Sequence, residues 1–97
     1  MRIVATPEAV EFVRTRGGVL YVWTMTMEYG YHSVFVLEAS VESPGADRTF
    51  QRFEGEGIEL LLDAGARELP ESVHLDLSGV FRKRLRATWN GNSFTPE

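Results

Sequence analysis

His32 and His74 are the two histidines of this chain, and imidazole is the side chain that most readily exchanges a proton near neutral pH. Glu28 lies four residues before His32, and Asp76 lies two after His74. The two imidazoles and either carboxylate would make a transition-metal site if the fold gathered them. Their spacing matches no strong metal motif, so no metal ligand is assigned. Either imidazole could serve as a general base, but no neighbour is spaced to support that role. Ser33 beside His32 is not a triad, and the chain holds no Gly-x-Ser-x-Gly. Gly17-Gly18 leaves a helix instead of opening one, so no phosphate loop is present. Glu54 and Glu56 sit in a Gly-rich turn that water solvates. No catalytic residue is assigned, and the chain is read as a non-enzyme.

Arginine supplies a second kind of chemistry. Arg82, Arg84 and Arg86 alternate along one predicted strand, on the same face as His74 and Asp76 of the strand before it. Guanidinium forks suit phosphate and carboxylate. If paired residues sum to about 160, Asp76 opposes Arg84 and His74 opposes Arg86. A solvated charge ladder worth ~0.2–1 kcal/mol per favourable pair accounts for the same residues. A polar dimer surface would also account for them.

The third group is a stripe of large side chains: Tyr21, Trp23, Met25, Met27, Tyr29 and Tyr31. Such alternation usually builds core, which is the expectation for Tyr21 and Trp23. Tyr29-Gly30-Tyr31 falls at a bend. If Met27, Tyr29 and Tyr31 are exposed there, they form a patch of the kind that meets partners or apolar ligands. Tyr29, Tyr31, His32, His74, Arg82, Arg84 and Arg86 are therefore the candidate ligand or partner surface.

The chain has no cysteine, which excludes disulfides, thiolate nucleophiles and thiolate-ligated metals. Its 97 residues predict a single domain, 1–97, with a modest core. With 43% hydrophobic and 25% charged residues, folding is expected over disorder. A net charge of −4 argues against non-specific nucleic-acid binding. No run of about 18 apolar residues predicts a membrane span, and the first residues do not read as a secretory signal. The expected location is the cytoplasm, with no cofactor. Nine of the ten basic residues are Arg, a skew read as compositional bias. A homodimer, which would enlarge the buried area, and an unidentified protein partner are both kept open.

The elements that must position these groups follow from local signals. Arg2–Ala5 reads as extended. Thr6-Pro7-Glu8 starts a helix running to about Thr15, and Gly17-Gly18 ends it. Val19–Met27 reads as a central strand and Ser33–Val41 as the next. Thr49–Phe53 is a short strand, and Ile58–Leu62 a strand or buried segment. Val73, Leu75 and Leu77 alternate with His74, Asp76 and Ser78. Phe81, Lys83, Leu85, Ala87 and Trp89 alternate with Arg82, Arg84, Arg86 and Thr88. These last two runs predict a hairpin. Asn90-Gly91 is a turn signal, with a short strand after it at Asn92–Thr95.

This order of elements resembles the HesB-like, A-type iron–sulfur carrier domain over nearly the whole chain. The resemblance rests on a Thr-Pro-Glu-Ala helix, a Gly-Ile-Glu-Leu-Leu-Leu-Asp strand and a final hairpin. The family's cysteines would fall in the Met27–Tyr31 bend and in Asn90-Gly91-Asn92, which stands before Ser93-Phe94. Here none is present. A common hairpin turn accounts for Asn90-Gly91 equally well. The resemblance implies an α+β fold, with one N-terminal helix packed on short mixed or antiparallel strands in a compact sandwich or partial barrel. It implies no retained ligand. The functional expectation is a non-enzymatic cytoplasmic domain that acts through protein contacts and cannot hold a thiolate-ligated cluster. The alternative is a small-ligand or anion-binding domain using the arginine-rich hairpin and the Tyr29–His32 bend.

Overall fold

Thr6, Pro7 and Glu8 start a helix as their order predicts. Strand β1 (Arg2–Ala5) ends just before them, and α1 spans Pro7–Arg14. The Thr6 hydroxyl accepts a hydrogen bond from the Ala9 N–H at 3.2 Å, satisfying one of the amides a helix leaves unpaired at its start. The Gly18 N–H donates to the Val13 carbonyl at 2.9 Å and closes the other end. Strands follow: β2 (Val19–Tyr29), β3 (His32–Ser40), β4 (Gln51–Gly55), β5 (Ile58–Asp63), β6 (Ser72–Ser78), β7 (Arg84–Trp89) and β8 (Phe94–Pro96). This computed structural model describes residues 1–45, 47–65, 67–79, 81–90 and 94–96, with the side chains of Tyr29 and 94–96 outside the description. Residues 91–93 of the expected Asn-Gly turn lie outside the described residues.

The strands form two mixed sheets. One has three strands in the order β1-β6-β7, and the other five in the order β4-β5-β2-β3-β8. β1 runs parallel to β6, and β2 parallel to β5, while the other neighbours are antiparallel. Two seams bring the sheets together. The Phe35 ring on β3 meets the Trp89 ring on β7 edge-on at 5.3 Å. Gly55 on β4 lies so near β1 that a Cβ there would be 3.4 Å from the Ile3 side chain. Between the sheets lies one core of Ile3, Leu20, Val22, Ile58, Leu60, Leu62, Val73, Leu75 and Ala87. Ala9 and Val13 of α1 complete it, and the Thr6 N–H, donating to the Leu75 carbonyl at 3.1 Å, ties the helix start to β6.

The expected α+β domain, a helix packed on a sandwich or partial barrel, is therefore corrected. Strands make up most of the fold, and the single helix of the described residues is eight residues long. A helix that short offers the core only Ala9 and Val13 as fully buried side chains, so strands must supply the rest. The parallel pairings were invisible in the order of elements, because each joins strands separated by long stretches of chain.

Two turns depend on glycine. Gly30 has φ 62 and begins the two-residue loop between Tyr29 and His32, the type II′ geometry that places Gly first. Gly79 has φ 107, and a Cβ there would lie 1.9 Å from the Arg82 carbonyl oxygen. That crowded turn leads into β7, which begins only at Arg84. Phe81, expected to alternate with core positions, therefore falls before the strand and is 101% exposed.

Two stability predictions follow from this packing. Leu60→Ala, at a fully buried site, should cost about 2–5 kcal/mol in urea or guanidinium unfolding. Asn90 sits at φ 51; its side-chain oxygen accepts from the Ser72 N–H at 3.0 Å, and its own N–H donates to the Ser72 carbonyl at 2.9 Å. Asn90→Ala should cost about 1–3 kcal/mol through the lost acceptor and the left-handed backbone. Asn90→Gly should recover about 1 kcal/mol of that in the same titration.

Candidate functional site

The period of two along β2 decides what the molecule shows to its surroundings. Leu20 and Val22 point into the core, so Tyr21, Trp23, Met25 and Met27 lie on the outer face of the five-stranded sheet. Tyr21 and Trp23 are half-buried there and not in the core, which corrects the expectation for both. Tyr21 meets Phe50 edge-on at 5.4 Å. Met25 pairs with Val36 and Met27 with Val34 across β3. The two methionines are 42% and 41% exposed, and Tyr31 at the hairpin tip is fully exposed. The β2–β5 pairing ends at Trp23–Asp63, so these methionines lie beyond the end of β5.

The same face is charged toward its other end. Arg48 lies 5.5 Å from the Trp23 ring centroid and 3.5 Å from the Asp63 carboxylate. Asp63, Trp23 and Glu38 occupy one row across β5, β2 and β3. Farther along, Arg52 is held by Glu54 and Glu59. The hydrogen bond to Glu59 and then the Glu54 charge raise the Arg52 pKa above its ordinary value, leaving the guanidinium protonated.

The arginine-rich hairpin faces outward from the other sheet. Its register sums to 162, so Asp76 opposes Arg86, His74 opposes Thr88 and Ser78 opposes Arg84. The expected Asp76–Arg84 and His74–Arg86 pairs are thus shifted by two residues, a slip that keeps every side chain on its face. Arg86 grips Asp76 with two hydrogen bonds of 3.0 and 2.8 Å. The bond to Asp76 and its charge raise the Arg86 pKa. His74 Nε2 lies 3.0 Å from the hydroxyl of Ser72, which is buried. Arg82 and Arg84 are exposed.

The structure does not bring the two halves of the anion-site reading together. Arg84 shares a groove with Glu38, Ala39, Ser40 and Val41 at one end of β3. His32 begins the other end, six residues and about 20 Å from Glu38 at strand rise. Tyr31 and His32 stand at the hairpin tip, and the Tyr29 side chain lies outside the described residues. No group of three metal-ligating side chains exists among the described residues.

One arrangement escaped the sequence reading. Phe35 is 3% exposed, with the Arg67 guanidinium 3.7 Å above its ring and Trp89 at its edge. These residues and Glu68 line a shallow groove of about 370 Å³. They come from three distant segments, so no local spacing announced them. The geometry closes the core at the β3–β7 seam.

Comparison with known proteins gives one finding. Residues 1–89 match the family described as the CC/Se motif containing family. No curated protein gives a significant match. No solved structure gives one either. The resemblance to the HesB-like, A-type iron–sulfur carriers is therefore corrected: it rested on the order of helix, strands and hairpin, with no diagnostic motif. The chain has no cysteine, so the CC of the family's description has no counterpart in it. The match covers more than nine-tenths of the length, and the chain belongs to the CC/Se motif containing family.

Proposed function

We propose that this is a non-enzymatic, cytoplasmic domain that acts through protein contacts made by the outer face of its five-stranded sheet. The observation that carries this reading is the exposure of Met25 and Met27, in line with half-buried Trp23 and beside Val34 and Val36. Methionine packs well on a partner surface because its side chain is unbranched and polarizable. Contiguous apolar surface of this kind marks an interaction site more often than an isolated exposed leucine does. The cytoplasmic assignment is supported by the cysteine-free composition. No helix of the described residues is long and apolar enough to cross a membrane. The anion-binding alternative is less favoured, because Asp76 occupies Arg86 and the bend lies at the far end of β3.

Methionine footprinting tests this reading directly. A brief hydroxyl-radical pulse should oxidise Met25 and Met27 readily in dilute purified protein. In extract of the native host both should be protected several-fold, with Met1 as internal reference. Equal oxidation of both residues in dilute protein, concentrated protein and extract would exclude a covered face.

A further inference from the structure

We propose that the occupant of this face is a second copy of the chain, packed sheet to sheet about a two-fold axis that runs along β2; this rests on the contact-face reading above. The argument is one of charge. In the row through Trp23, Arg48 lies on the β5 flank, over the ring and against Asp63. Glu38 lies on the β3 flank. It makes no ion pair among the described residues, Arg84 of the groove that both line included. A two-fold axis along β2 reverses left and right while preserving rows. It sets β3 of one copy over β5 of the other. Glu38 of each copy then meets Arg48 of its mate, whose guanidinium bridges it to the mate's own Asp63. Trp23, Met25 and Met27 pack on themselves along the axis, as an isologous interface requires.

Other relations of the two faces lose this match. An axis across the strands at the Met25 row would place the charged row of one copy over Met27 and Val34 of the other, burying Glu38 and Asp63 against apolar groups, a costly arrangement. At the Trp23 row it would set Glu38 over Glu38 and Asp63 over Asp63, like charge on like. The apolar rows Met25–Val36 and Met27–Val34 bracket the charged row on one side only, so the charges set the register. The patch spans at most three strands by about 20 Å, roughly 300 Å² in projection from strand spacing and rise. That is below the ~800 Å² per partner of a standard interface, which places the dimer in the weak class.

Sedimentation from about 5 to 500 µM is the test. The wild type should show a reversible monomer–dimer equilibrium that high salt weakens. Glu38→Arg and Arg48→Glu should each weaken self-association at least tenfold. An equimolar mixture of the two variants should dimerise again, because mixing restores opposite charges at both contacts. Circular dichroism reports whether each variant folds. Arg48→Gln, which adds no charge beside Asp63, replaces Arg48→Glu if the latter does not fold, and it too should weaken the dimer.

A wild type that stays monomeric at 500 µM overturns the second-copy proposal. Protection of Met25 and Met27 in extract would then leave the contact-face reading standing with a different protein as occupant. A dimer indifferent to both charge changes would show that another surface pairs, and it would also overturn the proposal. Loss of protection under every condition would remove both readings together.

Discussion

Strand β2 is held on both sides, parallel by β5 and antiparallel by β3, and most of the molecule depends on that double constraint. A strand hydrogen-bonded along both edges cannot rotate or slip by one residue without turning its core set outward. Leu20 and Val22 are thereby committed to the interior together with Leu60 and Leu62. The same commitment forces Tyr21, Trp23, Met25 and Met27 outward. The exposed stripe is a geometric consequence of the core, and its composition is what gives it functional meaning. Threonines at these positions would have formed the same strand with a wet surface.

Much of the local structure was legible. The capped helix, the central strand and the final hairpin all follow from short-range chemistry that Thr6, Pro7, Gly18 and the alternation in Val73–Leu77 express directly. The face of β2 was not legible, because both of its faces carry large side chains and alternation alone cannot say which is inside. Core volume decided it, since branched Leu20 and Val22 interlock with the leucines of β5. The hairpin register was misread by two residues. The turn was expected closer to Gly79, whereas the crowded loop before β7 delays the strand to Arg84. Phe81, apolar and in phase, was carried outside the sheet by the same delay.

The iron–sulfur carrier resemblance failed for a related reason. An order of elements is a one-dimensional pattern, and many small β-rich domains share a helix followed by strands. Fold lies in which strands pair, and here the decisive pairings join Arg2–Ala5 to Ser72–Leu75 and Val19–Trp23 to Glu59–Asp63. Neither leaves a spacing signal in the sequence. The candidate surface shows the same limit. Arg48 and Glu38 acquire significance only because β2 and β5 stand between the segments that carry them.

The parallel seam of β1 and β6 also has a temporal side. The four residues of β1 are made before the other strands of the domain, yet their backbone partners begin at Ser72. At typical synthesis rates some 70 residues take about 4–14 s to add. During that interval the apolar Ile3 and Val4 have no sheet to join, and the core that α1 must cover lacks Val73, Leu75 and Ala87. The nascent chain therefore cannot settle from its beginning onward. β1 is locked only by the sixth of the eight described strands, which makes the arrival of β6 the event that commits this sheet to form.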